Sequence, residues 1–237
     1  MKIELPANAL AAALTKVNAA VPGHTTIPIL GTFLMDASGD MLRVTGSQID
    51  IQASATVECV VRESGRAAVS SNIFGMVKTL GKSPVTLDAD ENGDGRAVVA
   101  GPRQRYEFGR LPPDQFPIMP PLDDMDGVSA FDIDASALAA ALSATKGTVH
   151  DSKFELSGVC MCRDGASLAF VATDGKRFTH FAIPAPAGTS SVTSHIISTR
   201  AVSAIMSVLT GEKGVARVCV SPSIISVDVG GAVVTSR

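Results

Sequence analysis

The acidic run from Asp88 to Gly95 is the stretch of the chain that most resembles a metal-binding motif. Asp88, Asp90 and Asn92 have the spacing that opens a calcium-binding loop, in which alternating oxygen side chains ligate the ion. The twelfth position of such a loop needs a bidentate carboxylate, but Val99 stands there, and strand-like sequence flanks the run. We therefore predict a hairpin turn here and no metal site.

The remaining residues that could do chemistry are too dispersed to form an evident active site. The four histidines are scattered along the chain, and the four cysteines form no paired framework, so we predict buried free thiols. There is no glycine-rich phosphate loop, no G-x-S-x-G elbow and no H-E-x-x-H motif. Acidic residues lie mostly in predicted turns, where they cannot jointly hold catalytic metal ions. The residue chemistry points away from an enzyme and predicts no cofactor.

Hydrophobic periodicity predicts the elements that must position these residues. A strand at Lys2–Leu5 leads into a helix that Pro6 opens, and Ser71 is expected to cap a second helix that ends at Gly81. Further strands are predicted at residues 32–36, 41–45, 48–61, 66–70, 84–88, 96–100 and 103–108. This order is a βαβββ unit used twice.

The chain also repeats itself at a separation of about 128 residues. The segment Ala7–Thr15 recurs as Ala135–Ser143, and three further segments recur in the same order. These further pairs are Ile29–Met35 with Leu156–Cys162, Ser71–Leu80 with Thr199–Val208, and Ala97–Val99 with Ile224–Val227. Alanine-rich helices can match by chance, but four collinear matches indicate a tandem duplication. We predict an α+β fold of two domains, each with two βαβββ units, mainly antiparallel sheets, and helices on one side.

A proline-rich connector at Leu111–Pro121 separates the two copies, which gives domains at residues 1–121 and 128–237.

The composition of the chain limits the kinds of partner and the cellular location that we expect. The 23 acidic residues slightly outnumber the 20 basic ones, which argues against binding nucleic acid over the whole surface but permits a local basic face. Without an export signal or a long apolar run in the sequence, we expect a cytoplasmic protein.

Four segments closely resemble the bacterial DNA polymerase III beta subunit, the beta sliding clamp, in their order and spacing. They are Thr26–Gly31, Leu42–Gly46, Leu111–Pro117 and Val171–Arg177, which reads Val-Ala-Thr-Asp-Gly-Lys-Arg. The resemblance implies a DNA clamp fold whose helices face the DNA. It also implies a non-catalytic processivity factor that encircles double-stranded DNA without sequence preference and tethers the replicative polymerase and other clamp-binding proteins. The clamp loader is a further implied partner.

Members of that family have three such domains and close as a head-to-tail homodimeric ring, whereas this sequence supplies two. We expect either a clamp that lacks its third domain or a natural two-domain subunit that needs three copies for a ring. A clamp-like partner-binding protein that does not encircle DNA is the alternative function. A small-ligand enzyme or binding protein on a duplicated α+β domain is a further one. With two domains, we expect poor binding of partner peptides and a mainly monomeric chain.

The resemblance and the helix positions together assign candidate site residues. The DNA-binding candidates are His24, His150, Lys153 and Phe154 from the family, and Lys16, Lys78, Lys146 and Arg200 on predicted helices. The family often has Arg at the position of His24, so this residue is a departure. The candidates for the partner-peptide pocket are Leu156, Thr173, Gly175, Lys176, Arg177 and Phe178. The candidates for the subunit interface are Arg103, Arg105, Tyr106 and Phe108, on a strand expected at the edge of the first domain.

Overall fold

The computed structural model describes residues 1–89, 95–120, 122, 127–149, 157–189, 192 and 194–237. The chain divides into two compact units, Met1–Ile118 (unit 1) and Met119–Arg237 (unit 2). The division falls inside the proline-rich connector. Each unit is described by itself.

Unit 1 follows the βαβββ order twice, with one additional short strand. Its elements are β1 (Lys2–Pro6), α1 (Ala7–Val17), β2 (Thr32–Ser38), β3 (Met41–Ser47), β4 (Ile51–Glu58), β5 (Val60–Glu63), β6 (Gly65–Ser70), α2 (Ile73–Thr79), β7 (Pro84–Asp88), β8 (Arg96–Ala100) and β9 (Arg105–Leu111). Short 3-10 helices lie at Asn18–Ala20, Pro28–Gly31 and Pro113–Gln115. The strands lie in the order β4-β3-β2-β6-β9-β8-β7-β1-β5, and neighbouring strands are antiparallel.

Unit 2 repeats the same order without the additional strand. Its elements are β10 (Ser129–Asp134), α3 (Ala135–Lys146), β11 (Gly158–Asp164), β12 (Ser167–Thr173), β13 (Phe178–Pro184), β14 (Ser194–Ser198), α4 (Thr199–Leu209), β15 (Val215–Val220), β16 (Ile225–Val229) and β17 (Ala232–Ser236). The antiparallel strands form the rows β10-β15-β16-β17 and β13-β12-β11-β14. The predicted fold class, an antiparallel α+β fold built from βαβββ units, is confirmed.

The helices pack in pairs on one face of the strands in each unit. In α1, Leu10, Leu14 and Val17 are fully buried, and this helix packs against α2 and against β4. In unit 2, α3 packs against α4 and against β12 and β13. Helix formation has a local cause in unit 2, because the Asp134 carboxylate accepts a hydrogen bond from the Ala137 N–H and the Ser198 hydroxyl accepts one from the Ala201 N–H. None of the described helices is long and apolar enough to cross a membrane.

Two sequence predictions about the course of the backbone are wrong. Ser71 does not cap α2: the helix begins at Ile73 after Asn72, and no side chain caps it, while the Ser71 carbonyl accepts a hydrogen bond from the Phe74 N–H. The strand predicted at residues 48–61 is divided at Cys59, because β4 pairs with β3 whereas β5 pairs with β1. The Cys59 N–H donates to the Asp40 carbonyl at this change of partner.

The cysteines are free thiols, but their burial differs. Cys59 and Cys219 are buried, as predicted, whereas Cys160 and Cys162 are only half-buried. They occupy alternate positions of β11, so both face the same side of the sheet. The turn predicted between β7 and β8 includes residues 90–94, which lie outside the described residues, and the two flanking strands pair antiparallel.

Candidate nucleic-acid and partner interfaces

The α-helices of the described chain carry only one sign of charge. Lys16 lies in α1, Lys78 in α2, Lys146 in α3 and Arg200 in α4, and none of the four helices contains Asp or Glu. The whole chain has 23 acidic and 20 basic residues, and the acidic residues that the structure describes all lie outside these four helices. This segregation gives the helical faces a positive character in a protein whose net charge is −3.

The four basic residues do not sit in equivalent places on their helices. Lys16, Lys78 and Lys146 lie in the last turns, where the helix dipole favours a cation and gives each lysine a structural reason for its position. Lys78 also lies over its neighbour Phe74, with Nζ 3.8 Å from the ring centroid. Arg200 is exposed in the first turn of α4, where the dipole disfavours a cation. The helix dipole therefore does not account for the position of Arg200.

The exposed side chains between these charges are small. The exposed positions of α1 and α3 other than Lys146 are Asn8, Ala12, Thr15, Ser136, Ala140, Ser143 and Ala144. Such a surface offers no long hydrogen-bonding side chains that could read base edges in a groove. It permits close approach of a smooth polyanion held by a few cations.

The family-derived DNA candidates are placed only in part. His24 is exposed in the segment between the first two 3-10 helices of unit 1. His150, Lys153 and Phe154 lie outside the described residues. The structure therefore gives positions for His24 and for the four basic helix residues.

The hairpin turn between β12 and β13 is organised by hydrogen bonds of Asp174. Its carboxylate accepts from the backbone N–H groups of Lys176 (2.9 Å) and Arg177 (2.7 Å), and from the Arg177 guanidinium Nε (3.0 Å). These bonds favour the charged carboxylate and lower the pKa of Asp174 well below its usual range, with the Arg177 backbone N–H as the largest cause. The Thr173 hydroxyl donates to the Arg177 carbonyl (2.7 Å) and accepts from the Gly175 N–H (3.1 Å).

This turn brings together five of the six residues predicted for the peptide pocket. Gly175 has a φ of +84°, a left-handed conformation that glycine adopts without strain. Lys176 and Arg177 are exposed, and Phe178 is 67% exposed at the start of β13. Leu156 lies outside the described residues. The result is a fixed turn with donors and an unburied aromatic ring side by side.

Asp174 is a residue of this site that is absent from the sequence-based candidates, although its carboxylate fixes Arg177. The signal was present, because Asp followed by Gly is typical of a turn in which the Asp side chain bonds the backbone two or three residues later.

The β9 strand has an open edge over most of its length. From Arg105 to Gly109 it pairs with β8, whereas β6 pairs only with Arg110 and Leu111. Among the described residues, no strand pairs with the second edge of Arg105–Gly109. Such an edge is available for pairing with another chain.

The four interface candidates are not aligned along this edge as predicted. Arg103 precedes β9 and lines a cleft of about 330 Å³ together with residues of the α2 end. Arg105 is exposed and lies 3.6 Å from Glu107, and Tyr106 is half-buried. Phe108 is only 8% exposed and contributes to the core of unit 1. Arg105 and Tyr106 are therefore the candidates with the most accessible side chains on the strand.

Comparison with known proteins identifies the family. The sequence profile of the N-terminal domain of the DNA polymerase III beta subunit matches residues 1–120, which is half of the chain. The chain belongs to this family. The beta sliding clamp of Caulobacter vibrioides (strain NA1000 / CB15N) is 25% identical over 245 residues and is matched over 65% of its length by 100% of this chain. The beta sliding clamp of Escherichia coli (strain K12) is 26% identical over 242 residues, with 100% of this chain matching 64% of that protein.

Solved structures of beta subunits have the same fold. The DNA polymerase sliding clamp from Caulobacter crescentus superimposes with a TM-score of 0.91 at 25% identity, covering 100% of this chain and 65% of that one. A Pseudomonas aeruginosa beta subunit bound to griselimycin has a TM-score of 0.89 at 22% identity, covering 100% of this chain and 64% of that one. The chain thus has the clamp fold and spans about 65% of the length of the relatives it matches.

Proposed function

We propose that this beta-subunit family member acts as a sliding-clamp processivity factor on duplex DNA. The observation that carries the proposal is the segregation of charge, in which four helices hold basic residues and no acidic ones while the chain as a whole is acidic. Residues 1–121 and 128–237 would be the first and central domains of the clamp. The helices of each would face the DNA.

The proposed activity is mechanical and needs no catalysis. A ring that encircles DNA is retained topologically, so its contacts with phosphate need only be weak and independent of sequence. The sparse cations Lys16, Lys78, Lys146 and Arg200 suit this requirement, because a strongly basic surface would slow sliding. His24, His150, Lys153 and Phe154 are the further candidates for contact with DNA.

The turn at Asp174–Arg177 is the proposed half of a partner-binding site. The exposed Phe178 ring offers an apolar contact, and Gly175 lets a peptide backbone approach. Lys176 and Arg177 supply donors, and Thr173 and Leu156 complete the set. The replicative polymerase and the clamp loader are the partners we propose for this site. The open edge of β9 with Arg105 and Tyr106 is the proposed subunit contact, with Arg103 just before the strand and Phe108 buried within it.

A clamp-like protein that binds partners without encircling DNA is the second candidate function. The observation that favours it is the turn itself, whose hydrogen bonds lie wholly within residues 173–177 and therefore need no ring. Under this alternative, partner peptides would bind while DNA would not be retained.

Retention on circular DNA tests the proposed function. The chain would be incubated with the clamp loader and nicked circular duplex, separated by gel filtration at 150 mM salt, and compared before and after linearisation. Because the chain is expected to be mainly monomeric, we expect only the fraction that assembles into rings to be retained on the circle. This fraction should be lost on linearisation, since a ring slides off a free end. A Lys146→Glu and Arg200→Glu variant should lose retention, whereas Arg43→Glu, exposed on β3, should keep it. Equal binding to circular and linear DNA, or no retention at all, would contradict the proposal.

A further inference from the structure

Unit 1 has a cleft at the point where the chain changes its strand partner between β4 and β5. β4 pairs with β3 as far as Glu58, whereas β5 pairs with β1 from Val60 onwards. Between them the Cys59 N–H donates to the Asp40 carbonyl over 2.9 Å. The cleft has a volume of about 540 Å³, within the range of about 300–1,000 Å³ that is typical of ligand pockets. Its lining residues are Glu4, Leu5, Pro6, Asp40, Met41, Glu58, Cys59 and Val60.

The walls of the cleft expose apolar side chains to solvent. Met41 is 39% exposed and Val60 is 50% exposed. The buried Cys59 also lines the cleft, and burial raises the pKa of its thiol, with a smaller effect from the negative charge of Asp40. The thiol is therefore neutral and adds polarisable, weakly polar surface to the walls. A partner side chain that packed here would bury apolar area that solvent now covers.

The rim of the cleft carries negative charge that has no counter-ion. The carboxylates of Asp40 and Glu58 are exposed, and neither has an ion-pair or hydrogen-bond partner among the described residues. Glu4 differs from them, because the Arg62 guanidinium donates two hydrogen bonds to it, of 3.1 and 3.2 Å. None of the described residues that line the cleft is Lys, Arg or His. No group of three or more His, Cys, Asp or Glu in the described part of the chain is arranged to hold a metal ion, so an organic cation fits this charge better.

The equivalent place in unit 2 keeps the backbone contact but not the side chains. There the Ala185 N–H donates to the Ala166 carbonyl over 2.9 Å, the same distance as in unit 1. The adjoining strand residues Ser167 and Pro184 are direct partners, as the corresponding residues of unit 1 are. The shared backbone thus does not require the two acids and the exposed methionine, which are available for a task of unit 1 alone. Unit 2 has Ala166, Ser167, Pro184 and Ala185 where unit 1 has Asp40, Met41, Glu58 and Cys59.

We propose that this cleft is a docking site for an extended segment of a partner protein in which an arginine is flanked by apolar residues. Arginine suits the rim because its guanidinium is always charged and binds carboxylates in a planar, two-bonded geometry. The apolar neighbours of the arginine would pack against Met41, Val60 and the Cys59 thiol. Charge complementarity selects this occupant, since the rim would repel DNA or an acidic segment. The cleft shares no residue with the basic helix positions or with the turn at Asp174–Arg177, so the inference does not depend on the proposed function.

Backbone amide shifts of the full chain, measured by NMR, test the proposal. The probe is the blocked peptide acetyl-Gly-Leu-Arg-Leu-Gly-amide, compared with one peptide in which Gln replaces the arginine and one in which Ser replaces both leucines. With a Kd on the order of 1 mM, about 2 mM peptide would fill about two thirds of the sites. The amides of Met41, Cys59 and Val60 should then shift, and those of Ala166 and Ala185 should not. Both control peptides should bind about fivefold more weakly, because one lacks the charge and the other the apolar surface.

Variants of the rim and of the hairpin in unit 2 complete the test. The double change Asp40→Asn and Glu58→Gln keeps the shape of both exposed side chains and should weaken peptide binding about fivefold. Asp164→Asn is the matched control, because Asp164 is an exposed acid on the equivalent hairpin of unit 2, and it should leave the affinity unchanged.

Four results would overturn the proposal. They are the absence of shifts at the cleft, equal binding of the three peptides, shifts of equal size in both units, and an unchanged affinity of the rim variant. Shifts of the cleft amides that grow with protein concentration in the absence of peptide would identify a second copy of the chain as the occupant, which would also overturn it.

Discussion

The equivalent hairpin turns of the two units have the same backbone hydrogen bond and very different side chains. In unit 1 the Gln48 N–H donates to the Ile51 carbonyl over 2.7 Å, and in unit 2 the Asp174 N–H donates to the Arg177 carbonyl over 3.3 Å. Ile49 at the unit 1 tip is 72% exposed and Ile51 is fully buried. The duplication thus preserved the turn while the side chains diverged, so the surfaces rather than the scaffold distinguish the two units.

The helices, unlike the turns, have the same charge pattern in both units. All four lack acidic residues, although α1 and α2 belong to one unit and α3 and α4 to the other. A feature kept in both copies points to a task that both share, whereas a turn that differs points to a task of one copy. Mutations in the shared features and in the divergent ones should therefore have different effects on the two units.

The largest effect is expected in the core, where the units should respond separately. Phe33 is fully buried in unit 1, and Phe33→Ala should lower the free energy of unfolding of that unit by about 3–5 kcal/mol because it removes buried surface and leaves a cavity. Val159, also fully buried, holds the equivalent position by strand register, one residue before the position that the sequence repeat matched to Phe33. Val159→Ala should cost less because fewer atoms are removed. Amide exchange during urea titration would assign each loss to a unit. Equal losses in both units after Phe33→Ala would contradict separate cores.

The second prediction separates the two turns. Asp174→Ala removes the acceptor of three hydrogen bonds, so the amides of Lys176 and Arg177 should exchange about tenfold faster or more. The control change Ile49→Ala at the tip of the unit 1 turn should leave exchange there almost unchanged, because the Ile49 side chain is 72% exposed and the turn closes through the backbone bond from Gln48 to Ile51. Amide exchange measured by NMR tests this prediction. An effect of equal size in both turns would show that the two turns are not organised differently.

The order of the turn at Asp174–Arg177 should depend on pH, and the pKa of Asp174 determines the direction of this dependence. The pKa of Asp174 is lowered in the folded state, so the contribution of its carboxylate is present above the ordinary value of 3.8 and is lost as the pH falls through the lower folded value. The unit 2 turn should therefore stay ordered at pH 4 and loosen in stronger acid. A turn that loosened between pH 6 and 5 would show that Asp174 is not its organising group.

A buried histidine distinguishes the units at a milder pH. His195 is 7% exposed, and burial lowers its pKa from 6.5, while a hydrogen bond with the Ser221 backbone opposes this. Its contribution to stability is present above pH 6.5 and is lost as the pH falls towards the lower folded pKa, because protonation would place a charge in the core. Ala67 holds the equivalent position in unit 1. Unit 2 alone should thus lose stability between pH 6.5 and 5, as followed by amide exchange, and His195→Leu should remove this difference.

The smallest effect concerns single helix charges. Arg200→Ala should reduce the slope of log K against log salt for DNA binding by about 0.9, the value for one phosphate contact, because Arg200 is exposed on α4. Lys146→Ala should give a similar change in slope with a small loss of helix stability, because Lys146 lies in the last turn. Fluorescence anisotropy across a salt series measures the slope. An unchanged slope for both variants would exclude these two contacts.

Hydrophobic periodicity and the positions of turn residues were sufficient to predict most of the helices and strands. The apolar stripe of Leu10, Leu14 and Val17 predicted α1, and alternation predicted the strands, because burial on one face imposes these spacings. The break at Cys59 between strands β4 and β5 was not predictable in this way. It depends on β5 choosing β1 as its partner, which is a long-range pairing that local sequence does not encode.

The candidate sites were predictable where local chemistry determines them. Thr173, Gly175 and Arg177 are brought together by the turn that their own sequence specifies. The role of Phe108 was not predictable from the sequence, because its burial in the unit 1 core depends on the packing of distant elements. Cys160 is likewise only half-buried, although the apolar run around it predicted burial.

The measurement that tests the central claim most directly is site-specific photo-cross-linking to duplex DNA. A benzophenone amino acid would replace exposed small residues on the helices, Ala12 in α1 and Ala140 in α3, and exposed residues on the opposite sheet faces, Met41 in β3 and Ile196 in β14. If the acid-free helices are the DNA-facing surfaces, nicked circular DNA loaded with the clamp should cross-link to Ala12 and Ala140 positions and not to the other two. Cross-linking from Met41 or Ile196 positions at equal yield would contradict the assignment of the helical faces to DNA.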